Sequence, residues 1–380
     1  MSEVAATTAT AEVLFEIRNH VAVITLNRPS ALNALSLNMI IELRSLLGRV
    51  AGDAEVRAVV LRGAGEKAFC AGGDIRALYQ SFKDSGSLHR EFFRAEYRLD
   101  HLLYSFPKPY AVVMDGITMG GGMGLAQGST LRIVGERTRI AMPEVSIGLF
   151  PDVGGSYFLS RLPGSLGSYL ALTGIQIRGV DALYTQLADV YLQPKDAASL
   201  VDDLATLTWT ADPRADVHRF LHARAAQELP APSLANLRPA IDTHFSQASV
   251  PAILASLAGE SRVEYSDWAR QTITVLNARS PTMLSVTLRQ LQRGKAQSLA
   301  DCFRMELGMV EHCFEQGDFL EGVRALIIDK DNAPRWSPER LDQVTDESVE
   351  AFFRERWRGV AHPLADLERT WHWAPPSLSN

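Results

Sequence analysis

Two apolar segments, each followed by a glycine-rich turn and a helical pattern, constrain the fold of this 380-residue chain most. The first is VRAVVLRG at 56–63, which runs into AGEKAFCAGGD, and the second is PYAVVMDG at 109–116, which runs into ITMGGGMGLAQG. Short apolar runs bounded by glycine are typical of buried strands, and strands that alternate with helices favour parallel pairing. The order strand, loop, helix recurs over residues 13–175 and predicts an α/β layered fold.

Other segments predict the elements around these two. The runs VLFEI and VAVITL, at 13–17 and 21–26, favour a β-hairpin. Apolar residues at helical spacing after Ser36 predict a helix that the Ser36 side chain caps. Beyond about residue 205 the patterns are helical and are broken by Pro and Ser loops. We therefore predict three parts: a flexible N-terminus at 1–12, a core at 13–205 and a mainly helical region at 206–380.

Composition and charge exclude several classes of function. The formal net charge is −6, so no basic surface favours nucleic acid. No stretch reaches the ~18 apolar residues of a membrane span, so no membrane insertion is expected. The three cysteines (Cys70, Cys302 and Cys313) cannot all pair within one chain, which favours a reduced compartment. Because no basic residue precedes Arg18, we expect no transit peptide and predict a cytoplasmic location.

The two glycine-rich turns are candidates for binding a negatively charged oxygen. A helix N-terminus presents unpaired N–H groups, and glycine lets a ligand approach the backbone closely. Two such turns side by side would direct two N–H donors to one oxygen, as in an oxyanion hole. Tight strand-to-helix packing is the alternative explanation for either turn alone. The spacings G-x-G-x-x-G, G-x-x-x-x-G-K-[ST] and G-x-S-x-G do not occur, which disfavours nucleotide binding and an α/β-hydrolase serine.

Two isolated acids mark a second candidate site. Glu144 and Asp152 are the only carboxylates of AMPEVSIGLFPDVGGSYFLSRLPG, residues 141–164. Burial of an acid in such an apolar stretch is costly unless something offsets the cost. His218 and His222 are four residues apart but lack a third zinc ligand, so we expect an exposed helix face and no metal site. Cys70 lacks a neighbouring histidine in the sequence and is interpreted as a packed residue.

Four motifs, in this order, resemble the enoyl-CoA hydratase/isomerase (crotonase) superfamily: RPSALNAL, KAFCAGGDI, KPYAVVMDGITMGGGMGL and MPEVSIGLFPDVGGSYFLSRLPG. The resemblance implies an α/β, crotonase-like spiral of ββα turns with a mainly helical C-terminal region, and binding of an acyl-CoA thioester. Hydratases of the superfamily have two glutamates, and the first of those positions is Gly124 here. Hydration needs an acid and a base on one water, so the missing carboxylate disfavours it.

Within the superfamily, GLFPDVGG is similar to the 3-hydroxyisobutyryl-CoA hydrolase branch. The similarity extends to FFRAEY, SPTMLSVTLRQL and DFLEGVRALIIDKD, at 92–97, 280–291 and 318–331. It implies hydrolysis of 3-hydroxyisobutyryl-CoA, or of a close short 3-hydroxyacyl-CoA, in valine breakdown. Two alternatives remain open: a hydratase or dienoyl-CoA isomerase of unsaturated acyl-CoA, and a catalytically silent acyl-CoA-binding or scaffold protein.

The resemblance also implies roles for individual residues. The amide N–H groups of Gly73 and Gly121 would hold the thioester oxygen. Glu144 would attack the thioester carbon or act as general base on water. Asp152 would bind the 3-hydroxyl group of the substrate, and Glu96 would be a further acid on the substrate side.

Five residues are candidates for contacts with the coenzyme A part of the substrate. Coenzyme A carries several phosphates, and Arg28 and Lys67, which flank the loops expected to line its entry, would offer positive charge; ordinary surface charge is the alternative explanation for both. By the resemblance, the backbone near Leu32, Ala71 and Ile75 would hold the adenine and pantetheine parts. Because coenzyme A belongs to the substrate, no separate cofactor is expected. Superfamily members often form trimers, which implies a homo-oligomer unless the helical extension covers the trimer surface or the active site.

Overall fold

Two β-sheets organise residues 11–367, the part of the chain that the computed structural model describes. Of the predicted flexible N-terminus, residues 1–10 lie outside the described residues. The strands are β1 (Val13–Arg18), β2 (Val21–Leu26), β3 (Ala58–Gly63), β4 (Ala68–Cys70), β5 (Tyr110–Val113), β6 (Ile117–Met119), β7 (Leu131–Val134), β8 (Arg139–Ala141), β9 (Ile177–Arg178) and β10 (Val190–Tyr191).

The larger sheet has the strand order β1-β2-β3-β5-β7-β10. β1 and β2 form the predicted antiparallel hairpin, and each following neighbour pairs in parallel. All six residues of β2 are buried, as expected of a strand covered on both faces. Its side chains alternate between two apolar cores, so that Ile24 lies in one and Val23 in the other. The predicted α/β class with parallel pairing is therefore confirmed.

Helices cover both faces of this sheet and form the C-terminal region. The α-helices of the described residues are α1 (Leu37–Gly52), α2 (Ile75–Lys83), α3 (Leu88–Leu103), α4 (Gly121–Gln127), α5 (Gly155–Phe158), α6 (Leu166–Thr173), α7 (Gly179–Tyr184), α8 (Pro194–Ala205), α9 (Pro213–Arg224), α10 (Ser233–His244), α11 (Val250–Ala258), α12 (Val263–Asn277), α13 (Pro281–Gly294), α14 (Leu299–Gln316), α15 (Phe319–Val323) and α16 (Asp346–Ala351). Short 3₁₀ turns cover Pro29–Ala31, Glu144–Ile147, Leu159–Arg161 and Leu341–Gln343, and one π-helical turn covers Arg324–Ile328.

Local sequence signals explain several of these boundaries. The Ser36 hydroxyl accepts a 3.1 Å hydrogen bond from the Met39 amide and begins α1, as the sequence predicts. The segment predicted as one helix at GSYFLSRL is instead the four-residue α5 followed by a 3₁₀ turn. The ambiguous run ALIID falls largely in the π-helical turn. Of the described residues after 205, none lies in a strand.

The smaller sheet, in the order β4-β6-β8-β9, brings the candidate site residues together. β4, β6 and β8 are parallel neighbours, so their carboxyl ends meet at one edge of the sheet. The first glycine turn follows β4, the second follows β6, and Glu144 follows β8. Residues more than 70 positions apart in sequence thus converge because each lies just after a strand of the same small sheet.

Candidate active site

The two glycine turns lie against each other, as the proposed oxyanion hole requires. A Cβ built on Gly72 would lie 3.3 Å from the Met119 carbonyl oxygen and 3.6 Å from the Gly121 nitrogen. Gly72 has a φ of +103°, a conformation that side chains other than glycine rarely adopt. The Leu35 backbone fixes this turn, since its N–H donates to Gly72 and its carbonyl accepts from Asp74.

Both predicted donors are available to a ligand. Among residues 11–367, neither the Gly73 amide nor the Gly121 amide donates a hydrogen bond to another group of the protein. Gly121 is the first residue of α4, so its N–H has no partner within the helix. The arrangement can place two N–H donors beside one oxygen atom.

Glu144 lies beside the second of these turns. A Cβ on Gly120 would lie only 3.2 Å from Oε1 of Glu144, so glycine leaves room for the carboxylate there. The Glu144 side chain is buried, and its Oε2 has no hydrogen-bond partner within the described residues. An unpaired buried carboxylate oxygen is costly for stability, which is typical of a group kept for a ligand or a reaction.

Glu96 and Asp152 flank the same space. Glu96 lies on α3 and is 2% exposed, and a Cβ on Gly121 would collide with its Oε1. Asp152 precedes α5 and accepts a 2.7 Å hydrogen bond from the Tyr97 hydroxyl. Glycine at position 121 therefore leaves room for the Glu96 carboxyl group.

The packing around Gly124 explains why this position carries no hydratase-type carboxylate. A Cβ at this position would lie 2.5 Å from Oδ2 of Asp100 and 2.8 Å from Cβ of Val153. Asp100 is fully buried, and neither of its carboxyl oxygens has a hydrogen-bond partner among the described residues. The room that a glutamate at 124 would need is therefore already occupied.

Glu306, a residue of the C-terminal helical region, accepts hydrogen bonds from the turn that follows Asp152. The Glu306 carboxylate on α14 accepts 2.8 Å hydrogen bonds from the amides of Gly154 and Ser156. Burial raises its pKa to about 8, although these bonds oppose the shift. The mainly helical region is thus joined directly to the candidate site.

Burial controls the protonation of the other acids. It raises the pKa of Glu144 well above its usual value, and the Asp152 charge adds to that effect. Burial raises the pKa of Asp152 to about 6, and the Tyr97 hydroxyl opposes the rise. Burial is also the largest cause of the raised pKa of Glu96, followed by the charges of Asp100, Asp152 and Glu144. Each of these acids therefore holds its proton more tightly than an exposed carboxyl group does.

These groups surround one cavity of about 370 Å³. Its walls include both glycine turns and the carboxyl groups of Glu96, Glu144 and Asp152. The rest is largely apolar, and the remaining side chains on it include Phe92, Phe93, Met119, Ile147, Leu149, Leu326 and Ile327. A mostly apolar cleft with a few convergent polar groups is the usual form of a small-molecule site.

The five residues predicted to contact coenzyme A lie near this cavity but differ in setting. Ala71 and Ile75 line the cavity itself. Leu32 and Lys67 line a second cavity of about 300 Å³, and the Ala71 amide donates to the Leu32 carbonyl between the two. Arg28 forms 3.0 Å ion pairs with Glu12 and Asp74, so its charge is already balanced within the protein.

Three residues interpreted as structural, His218, His222 and Cys70, do not line this cavity. His218 and His222 stack at 4.1 Å on the exposed face of α9, and no cluster that could hold a metal ion occurs within residues 11–367. Cys70 is buried, and burial raises the pKa of its thiol to about 12. None of the helices in the described part of the chain combines the length and apolar character that crossing a membrane requires.

Comparison with known proteins agrees with the motifs. A family model described as "Enoyl-CoA hydratase/isomerase" matches residues 21–353. The chain belongs to the enoyl-CoA hydratase/isomerase family. This match confirms the superfamily predicted from the four motifs.

Within the enoyl-CoA hydratase/isomerase family, the chain is similar to proteins named "3-hydroxyisobutyryl-CoA hydrolase, mitochondrial". The one from Xenopus tropicalis is 44% identical over 334 residues, which are 87% of this chain and 86% of the relative. The one from Homo sapiens is 40% identical over 350 residues, covering 92% of this chain and 90% of the relative. The predicted resemblance to the hydrolase branch is thereby confirmed.

Solved structures of the family support the fold over most of the chain. One is described as a carnitinyl-CoA dehydratase from Mycobacterium thermoresistibile, with a TM-score of 0.83, 39% identity and coverage of 91% of this chain and 97% of that one. Another, described as an enoyl-CoA hydratase from Rhodobacter sphaeroides 2.4.1, has a TM-score of 0.81, 35% identity and coverage of 90% and 97%. The predicted crotonase-like fold is confirmed.

The predicted cytoplasmic location is wrong by the same comparison, because the curated relatives are named as mitochondrial. That prediction depended on the charges before Arg18 in the printed sequence.

Sequence reasoning missed three residues that the structure places at the site: Tyr97, Asp100 and Glu306. A signal existed for Asp100, since it follows Glu96 by one helical turn and so shares its face of α3. Tyr97 lies within the quoted motif FFRAEY. No local pattern points to Glu306, which meets its partners only through the tertiary fold.

Proposed function

We propose that this chain hydrolyses the thioester of 3-hydroxyisobutyryl-CoA, or of a close short 3-hydroxyacyl-CoA, to the free acid and CoA in valine breakdown. The names of relatives 40–44% identical to it support the hydrolase. One structural observation carries the choice over hydration: Asp100 and Val153 occupy the room that a second glutamate would need at Gly124. Of the two glutamate positions that hydration uses, only Glu144 then carries a carboxylate.

In this proposal the thioester oxygen lies between the amides of Gly73 and Gly121. Negative charge develops on that oxygen when the carbonyl carbon becomes tetrahedral. Each donor aimed at it is typically worth about 3–4 kcal/mol in the transition state. The coenzyme A portion extends past Ala71 and Ile75 toward the cavity that contains Leu32 and Lys67.

Glu144 supplies the base or the nucleophile. As a base, it takes a proton from water while the hydroxide adds to the carbonyl carbon, and it returns that proton to the sulfur as the C–S bond breaks. As a nucleophile, it forms a mixed anhydride and expels the thiolate, and water then cleaves the anhydride. Both routes give the acid and CoA without a separate cofactor. The raised pKa of Glu144 makes its ionised form a stronger base than an exposed glutamate.

Asp152 recognises the 3-hydroxyl group of the acyl chain. Its Oδ2 is held by the Tyr97 hydroxyl, which leaves Oδ1 to accept from the substrate. Glu96 lies beside Gly121 on the same cavity and contributes a second polar contact.

Release of free thiol from a panel of short acyl-CoAs, with and without a 3-hydroxyl group, tests the proposal. We expect release to be fastest with 3-hydroxyisobutyryl-CoA. Loss of the double bond of an enoyl-CoA without thiol release would instead identify a hydratase, in line with the descriptions of the two similar structures. Tight binding of every thioester with no turnover would identify a binding protein.

A further inference from the structure

Two residues of the C-terminal region reach into the candidate active site. The other residues that line the candidate active-site cavity fall between Ala71 and Val153, but Leu326 and Ile327 come from the π-helical turn Arg324–Ile328. Single π-helical turns are rare and frequently occur at functional sites. Both side chains are apolar and half-buried, as expected of a cavity wall.

We call Leu326 and Ile327 the cavity wall. The segment that leads into this wall packs tightly against the turn that contains Glu144. A Cβ on Gly322 would collide with the backbone of Ile147, and a Cβ on Gly148 would lie 2.5 Å from the Asp318 carbonyl. The two backbones therefore touch without intervening side chains. The Asp318 carboxylate also accepts a 2.6 Å hydrogen bond from the Ser280 hydroxyl, which fixes the start of the segment to α13.

Arginine side chains fix the C-terminal end of the same segment, the turn Arg324–Ile328. Arg76 on α2 donates a 2.7 Å hydrogen bond to the Ile327 carbonyl, so the wall is joined to the helix that begins at the first glycine turn. Arg324 forms 2.7 Å ion pairs with Glu321 and Asp329 and closes the turn on itself. A wall fixed at both ends discriminates ligands by size, because it cannot move aside without breaking these contacts.

We propose that Leu326 and Ile327 determine the length and branching of the acyl chain that the site accepts. This inference rests on the proposed thioester hydrolysis and deepens it. The acids Glu144 and Asp152 meet the polar atoms of a 3-hydroxyacyl group, and the two aliphatic side chains meet its carbon skeleton. A short branched chain fits against such a wall, and a longer straight chain runs into it.

Leu326→Ala and Ile327→Ala test the inference through the ratio of kcat/KM for 3-hydroxyhexanoyl-CoA to that for 3-hydroxyisobutyryl-CoA. One methylene in an apolar pocket changes kcat/KM by about 10- to 200-fold, so we expect the ratio to rise at least about tenfold in either variant. Leu326→Phe is expected to lower the ratio. Since both substrates meet the same preparation, the ratio does not depend on the fraction of protein that folds.

Ile328→Ala is the matched control, because Ile328 belongs to the same turn and is half-buried but does not line the cavity. An unchanged ratio in both alanine variants, or an equal change in the control, would overturn the inference. Calorimetric binding of the corresponding CoA thioethers, which cannot be hydrolysed, separates the two proposals. If the natural protein releases no thiol, hydrolysis fails, and the thioether chain-length series still decides the role of the wall.

Discussion

The Tyr97 hydroxyl donates a 2.7 Å hydrogen bond to Oδ2 of Asp152, and both side chains are buried. The preceding residue on α3, Glu96, lies so close to Gly121 that a Cβ there would collide with its Oε1. Of two consecutive residues on one helix, Tyr97 thus positions one acid of the cavity and Glu96 supplies another.

Tyr97→Phe should shift the pH dependence of catalysis. Burial raises the pKa of Asp152 to about 6, and the hydrogen bond from Tyr97 is the largest effect that opposes this rise. Removal of the hydroxyl should therefore move the pKa of Asp152 above its value of about 6. A hydrogen bond to a charged group is worth about 1.5–3 kcal/mol, so we expect kcat/KM to fall at least about tenfold. We also expect the increase in kcat/KM that accompanies ionisation of Asp152 to occur at higher pH. Tyr104→Phe is the control, since the buried Tyr104 hydroxyl has no hydrogen-bond partner among residues 11–367. Superimposable pH–rate profiles of Tyr97→Phe and the natural protein would contradict the prediction.

Glu144→Gln should abolish thioester cleavage but leave CoA binding largely intact. Glutamine keeps the shape of the side chain but neither abstracts a proton nor attacks a carbonyl carbon. We expect thiol release to fall by about 100-fold or more, as for loss of a general base. Glu136→Gln, at an exposed position, serves as the control and should retain full activity. Turnover that survives the change at 144 would remove Glu144 from the mechanism.

Asp152→Asn should affect hydroxylated substrates selectively. The amide retains the size of the carboxylate but loses its charge, which weakens the bond to a 3-hydroxyl group. We expect the loss of kcat/KM to be about tenfold larger with 3-hydroxyisobutyryl-CoA than with isobutyryl-CoA. Equal losses on the two substrates would reject a role in hydroxyl recognition.

Gly124→Ala should destabilise the fold. The added methyl group would lie within 2.8 Å of both Asp100 and Val153, which are buried and cannot both move. Overpacking of this kind typically lowers the free energy of unfolding by about 1–3 kcal/mol, which exceeds the helix propensity gained from alanine. Urea unfolding measures the change, with Gly52→Ala as control because a Cβ there meets nothing within 4 Å. Equal stabilities of the two variants would show that the space at 124 is open.

Glu306→Gln should flatten the dependence of stability on pH. Because folding raises the pKa of Glu306 to about 8, this residue binds a proton more tightly in the folded state than in the unfolded state. Its contribution to stability is therefore complete below the unfolded pKa of about 4.3 and is lost as pH rises toward 8. Urea unfolding at several pH values should show a smaller decline between pH 5 and pH 8 in the variant, by about 1 kcal/mol or more. Parallel curves for the two proteins would assign the shift to another group.

The sequence predicts those parts of the site that follow from local order. Gly73, Gly121 and Glu144 each come just after a strand, so parallel pairing of the strands is enough to bring them to one edge. The Ser36 cap and the β1–β2 hairpin are likewise local patterns.

Contacts between distant segments explain what the sequence does not predict. Glu306 meets Gly154, and Ile327 meets Arg76, across stretches of chain with no shared periodicity. The balance of Arg28 by Glu12 and Asp74 also depends on packing and not on spacing. Sequence patterns report which face of an element is apolar, and they carry no record of which later helix covers it.

The bonds from Gly154 and Ser156 to Glu306 have a consequence for synthesis on the ribosome. The strands and both glycine turns are synthesised long before α14, so the turn after Asp152 lacks its acceptor until α14 has left the exit tunnel. A product truncated between the sheets and α14 would lack the Glu306 acceptor and also the α14 side chains, such as Phe303 and Leu307, that belong to the larger apolar core.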